Sequence, residues 1–187
     1  MTEEVAEQLR QLAAAKEIVI SAHESAHAVA SIRLGLRFDY VTLDDADIGP
    51  HVANVDNAPR PIPFYRGGPE RCDPICENCR SEERRADSYM VMAMCGSLGA
   101  AATGAGKAFG YGHDGDKEYV VQFCKEAFGD KTDEDVNARM KGALDRAMDL
   151  MRHEGKAASA VARELREKRR LTESEVQAIV DRVGIRR

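Results

Sequence analysis

The chain has 187 residues, 43% of them hydrophobic and 32% charged, with a net charge of −5 and a pI near 5.6. That length suits one domain with a real core, and the acidic balance excludes the broad basic surface by which nucleic acid is usually held. MTEEVAEQLRQLAAAKE lacks the basic start and apolar run of a signal peptide, no stretch reaches about eighteen uncharged apolar residues, and five unevenly clustered cysteines argue against a disulfide framework, so the expectation is a cytoplasmic protein without a membrane segment.

Glu3 to Lys16 is charged and rich in Ala and Leu, a helix that can serve as packing or as a leading arm and can run on into the next segment. From Ile18 to Leu36, apolar Ile18, Val19, Ala22, Ala26, Val29, Ala30 and Ile32 recur at three- and four-residue steps without proline, which reads as a largely buried helix stopped by Gly35. Within it lies His23-Glu24-Ser25-Ala26-His27, an HExxH motif. Residues four apart share a helix face, so both imidazoles can aim at one point. Two His ligands at that spacing leave room on Zn²⁺ for a third ligand and a water, which Glu24 can reach as general base. Burying two histidines and a glutamate on an apolar helix is costly without partners, and a metal supplies one.

Phe38 to Asp44 alternates β-formers and predicts a strand; DADIGP at 45–50 is turn-like, and His51-Val52-Ala53-Asn54-Val55 can return as its hairpin partner beside the motif helix. Residues 57–81 are Pro-rich and irregular, with a Gly-Gly pair and three of the five cysteines. A stretch of that length and composition is either a mobile insertion or a small unit pinned by a ligand. Helical spacing resumes at Glu82 to Ala102 through Tyr89, Met92, Ala93, Cys95, Leu98 and Ala101, and after a glycine-rich bend a further helix spans Asp116 to Phe128.

The last third is helical. Thr132 with Asp135 caps the start of a stripe from Val136 to Met151, Ala157 to Arg169 continues it, and Thr172 to Glu175 forms a capping box for a closing helix with Val176, Ile179 and Val180. His153 and Glu154 fall near a helix end and read as solvated, as does the Arg163 to Arg170 run interleaved with Glu164 and Glu167. The fold class expected is therefore mainly α (α+β), with a small hairpin or sheet beside the HExxH helix, in a single domain over 1–187.

A catalytic zinc needs one more protein ligand from elsewhere. The candidates His113, Asp114 and Asp116 sit in Gly112-His113-Asp114-Gly115-Asp116, at the mouth of a helix that the aspartates can equally cap. Here the sequence resembles the peptidase domain of the FtsH-type ATP-dependent zinc proteases. HESAHAVA matches that family's HEAGHA-type helix, FDYVTLDD followed by IGPHVANVD falls where its hairpin lies, MVMAMCGSLGAAATG looks like its Gly-containing helix, and the closing segment from ALDRAMDLM to SEVQAIV is similar in spacing. The family's Asp ligand follows a glycine by four residues and opens a helix, a spacing that Gly112 and Asp116 reproduce.

The resemblance implies that His23, His27 and Asp116 hold zinc and Glu24 is the base. It further implies a peptide or unfolded-protein substrate paired along His51, Val52, Ala53, Asn54 and Val55 by strand addition. Three departures stand out. The family's ATPase module is absent, its one lookalike TGAGKAF having Ala101 and Ala108 where a phosphate-binding loop needs Gly and Ser or Thr. GSLGAAA stands where the family has GGRAAE, and the 57–81 insertion has no counterpart. Activity in this chain is then ATP-independent, restricted to peptides or flexible segments unless a partner protein supplies unfolding, and a monomer or dimer is expected.

Cys72, Cys76 and Cys79 in CDPICENC have knuckle-like spacing. They read as a second, structural zinc site completed by His51, His113, Cys95 or Cys124, as redox or incidental thiols, or as an iron–sulfur site. Cys95 and Cys124 themselves lie on apolar faces and read as core. Beside the peptidase stands a rival reading from another class, a catalytically inactive zinc-bound regulator that binds peptide or protein in the same groove.

Overall fold

A computed structural model describes residues 3–43, 77–104 and 132–184, with 116, 120, 121, 124, 125 and 128 between the last two stretches. The fold is mainly α: the described residues form helices α1 (Glu3–Leu34), α2 (Glu77–Ala102), α3 (Asp133–Lys168) and α4 (Glu173–Gly184), with strands β1 (Tyr40–Thr42) and β2 (Arg170–Thr172) in one antiparallel sheet. Backbone at Asp116, Val120, Val121, Cys124 and Lys125 is helical as well. Among the described residues no helix is long and apolar enough to cross a membrane.

No proline or glycine interrupts Glu3 to Leu34, so the charged leading segment and the motif segment form one helix. Its two halves differ. From Glu3 to Ala14 every residue but Ala6 is exposed, including Leu9 and Leu12, which makes this half an arm; from Val19 to Ser31 the helix is buried almost all round. Gly35 ends it in the left-handed region (φ +68), its N–H bonding Ile32 O while that of Leu36 reaches back to Ser31 O. That double closure satisfies carbonyls the helix end would orphan.

The buried half of α1 divides two cores. Ala26 and Ala30 face α2, where Tyr89, Met90, Val91 and Ala93 pack with Val120, Cys124 and Phe128 and with Val136, Ala143 and Ala147 of α3. Ala28 and Val29 face the other way, onto Phe38, Val41 and Leu171 of the sheet region, Ala158, Val161 and Leu165 of α3, and Val176, Ile179 and Val180 of α4. Contacts along α1 and α3 run in opposite chain order: Glu17 with Arg169, Ser21 with Arg166 and Arg33 with Glu154, at 3.0, 2.9 and 3.1 Å. The two helices are thus antiparallel, and small residues on both sides let them approach.

Ser25 sits in this crowded stretch, fully buried, with its Oγ making no hydrogen bond. A buried hydroxyl without a partner carries its desolvation cost uncompensated, on the order of 1 kcal/mol or more. Ser25→Ala is therefore expected to leave stability unchanged or to raise it by about 1 kcal/mol in urea denaturation. A clear loss would show that the hydroxyl is bonded after all.

The predicted capping signals form. Thr132 Oγ1 accepts from Asp135 N at 3.1 Å, opening α3. At α4, Thr172 N donates to Glu175 Oε2 at 2.9 Å and Glu175 N reaches Thr172 Oγ1 at 3.4 Å. The Thr172 backbone N–H and Lys168 hold the Glu175 carboxyl below its ordinary range.

Two expectations need correction, and one pairing is new. The helix placed at Glu82 begins at Glu77, so Cys79 lies in the first turns of α2 rather than in an irregular insertion; past Pro74 nothing in the sequence opposes a helix. Among the described residues β1 pairs with β2, a strand the sequence did not mark, in the register Tyr40↔Thr172, Val41↔Leu171, Thr42↔Arg170. His51 to Val55, the expected partner, lies outside the described residues. Finally, His153 and Glu154 are mid-helix: α3 runs through Gly155, and Glu154 is buried against Arg33 while His153 is exposed. One helical glycine costs about 1 kcal/mol, less than the two cores packed along α3 return.

α3 ends at Arg169, the one non-glycine with positive φ among the described residues (φ 67). It is held by contacts on every side: its N–H bonds Leu165 O, its carbonyl accepts from Leu43 N, and its guanidinium reaches Leu43 O and Glu17, all between 2.8 and 3.0 Å. Alanine there keeps the left-handed strain and loses the guanidinium, whereas glycine loses the contacts and relieves the strain. Arg169→Gly is expected to be about 1 kcal/mol more stable than Arg169→Ala, read from paired urea midpoints.

Candidate metal centre

His23 and His27 stand one turn apart on the buried half of α1, both under a tenth exposed, with Glu24 equally buried beside the first. Their rings meet edge to face with centroids 4.5 Å apart, and the two Nε2 atoms are 3.0 Å from each other. Asp116 brings Oδ2 to 3.5 Å from His23 Nε2 and 3.6 Å from His27 Nε2. Local helix geometry accounts for the imidazole pair; the carboxylate arrives from a segment some ninety positions later in the chain.

These three distances test whether the donors suit a metal. A tetrahedron with bonds of about 2.0–2.1 Å has edges of about 3.3–3.4 Å, and the observed edges of 3.0, 3.5 and 3.6 Å straddle that value. Two imidazole nitrogens and one carboxylate oxygen form the mixed donor set that zinc accepts, with a fourth corner left over. Among the described residues this is the one group of His, Cys, Asp or Glu drawn together closely enough to hold an ion.

His27 is oriented from outside its own helix. Its Nδ1 lies 2.9 Å from the carbonyl of Met92 on α2. A carbonyl only accepts, so Nδ1 carries the proton and the neutral ring leaves Nε2 as a lone pair facing His23 and Asp116. This is how a ligating imidazole is usually fixed. Burial alone pushes the His27 imidazole down, but Asp116, Glu24 and the Met92 carbonyl together carry it up to about 9. The carboxylates of Asp116 and Glu24 thus favour a positive charge at this centre.

Of the other candidates, His113 and Asp114 lie outside the described residues, as do His51, Val52, Ala53, Asn54, Val55, Cys72 and Cys76. Cys95 and Cys124 are fully buried core residues that form no disulfide among the described residues. Burial pushes the Cys95 thiol up to about 12, which suits an inert packing group. Neither joins a ligand group among the described residues.

Sequence reasoning missed the support from α2. Gly99 lets the two helices touch: a Cβ there would run into the Ala22 carbonyl oxygen and come within 2.6 Å of Ala26 Cβ. The available signal was a pair of glycines in an otherwise apolar helix, GSLG, since such a glycine usually marks close packing. Set against known protein families, curated proteins and solved structures, the chain matches none.

Proposed function

We propose that this chain is a zinc metallopeptidase akin to the FtsH-type peptidase domain, hydrolysing peptides or unfolded protein segments without ATP. The observation that carries the reading is the convergence of His23 Nε2, His27 Nε2 and Asp116 Oδ2 within 3.6 Å of one another, with buried Glu24 next to the first ligand. His23, His27 and Asp116 would hold Zn²⁺, with Asp114 as the alternative third ligand. Bound zinc supplies Lewis acidity, polarising a scissile carbonyl and acidifying water.

Glu24 does the proton work. It takes the proton of the attacking water and delivers it to the departing amine, a task for which a carboxylate beside but outside the ligand set is suited. Met92, through its carbonyl, keeps the His27 proton on Nδ1 so that Nε2 stays available. The stretch His51 to Val55 aligns an extended substrate by strand pairing. The spacing of Cys72, Cys76 and Cys79 would suit a second, structural zinc, with redox or incidental thiols as the alternative. The setting is cytoplasmic and reducing, the chain a monomer or dimer, and folded substrates would need a partner protein that supplies unfolding. Nucleic acid is not a partner.

The test is cleavage of unfolded casein by purified protein, before and after chelation and after return of one equivalent of zinc. Hydrolysis is expected to disappear with the metal and to return with it. A fully zinc-loaded chain that binds casein without cutting it would replace the peptidase by the peptide-binding regulator.

A further inference from the structure

The proposed chemistry involves α2 only through one carbonyl, yet α2 also passes close to both imidazoles at Gly96. A Cβ built on Gly96 would lie 2.2 and 2.4 Å from Nε2 and Cε1 of His27 and 2.7 Å from Cε1 of His23, far inside van der Waals contact. All three nearest atoms belong to the ligand rings and none to backbone. The volume that any other residue at 96 would fill is therefore the volume in which the rings stand. One helical turn earlier, Met92 supplies the carbonyl that fixes His27 Nδ1. Glycine in a helix interior is disfavoured relative to alanine, so Gly96 works against the propensity of α2 and needs a packing reason.

We propose that Gly96 is a positioning residue for the metal pair: its missing side chain forms the slot that holds the His23 and His27 rings with their Nε2 atoms 3.0 Å apart. The functional meaning rests on the metallopeptidase reading, while the slot itself does not. Two helices rather than one then define the ligand geometry. α1 sets the spacing of the histidines along the chain, and α2 sets how far their rings reach.

The test compares Gly96→Ala in two backgrounds, the natural chain and a His23→Ala/His27→Ala chain without rings. By circular dichroism, the thermal midpoint is expected to fall by about 5 °C or more in the natural background. In the ringless background it is expected to rise, because the slot is empty and alanine suits the helix better. A variant that unfolds only when the rings are present supports the slot equally. A similar fall in both backgrounds, or unfolding in both, overturns it, since Gly96 would then serve the backbone.

The second arm is titration with Co²⁺. The natural chain is expected to bind one equivalent with the visible bands of a four-coordinate ion, and Gly96→Ala to bind at least about tenfold more weakly or with altered bands. Equal affinity with identical bands would overturn the positioning role and leave the metal reading standing. A natural chain that takes up no Co²⁺ would overturn the metal reading as well, a result that the variant alone cannot produce.

Discussion

Replacing Glu24 by glutamine is expected to slow peptide hydrolysis by about 10²- to 10⁴-fold while zinc remains bound in one equivalent. The two side chains have nearly the same shape, so the buried position beside His23 can accept the amide without opening a cavity. What the amide lacks is basicity: it cannot take a proton from water or hand one to a leaving amine. Because Glu24 stands outside the set of three ligand atoms, metal content should not follow the rate. Paired measurement of kcat on a fluorogenic peptide and of zinc by mass spectrometry separates the two quantities. If natural and Glu24→Gln proteins cut equally well, this centre does not perform the hydrolysis and the enzyme reading falls.

Asp116→Ala is expected to act on the metal itself. Removing a hydrogen-bonding group behind a ligand typically costs 10- to 100-fold in affinity, so losing a direct ligand should weaken zinc binding by about a hundredfold or more. Asp116 Oδ2 stands 3.5 and 3.6 Å from the two Nε2 atoms, and its removal leaves the pair without a third donor among the described residues. Asp114→Ala is the informative companion. With Asp116 as ligand, the Asp114 variant should bind zinc within a few-fold of the natural chain. The reverse ranking, read from competition with a chromophoric chelator, would transfer the role to Asp114.

Much of the fold was legible because its signals are short-ranged. Gly35 stops α1, Thr132 and Thr172 cap the helices they precede, and apolar spacing places α1, α2 and α3, each through contacts within about one turn. The errors arose where a local signal was missing or misleading. β2 has three residues, too few for any alternation to register, and its partner β1 lies far earlier in the chain. His153 and Glu154 read as near a helix end, but packing on both sides of α3 carries the helix through Gly155. Glu154 read as solvated because its sequence neighbours are polar, while its actual neighbour is Arg33.

The candidate centre divides along the same line. The HExxH spacing alone determined that His23 and His27 share a face with Glu24 beside them, since a helix repeats every 3.6 residues whatever surrounds it. The sequence also marked the Gly112 to Asp116 bend as the place to seek a carboxylate. Only the tertiary structure decided that Asp116 meets the imidazoles, that a Met92 carbonyl fixes one of them, and that Gly96 makes room for both. Those outcomes depend on how α2 and the Asp116 segment settle against α1, which is the sum of many weak apolar contacts spread over distant parts of the chain. No window of a few residues contains that sum, whereas it does contain a helix turn.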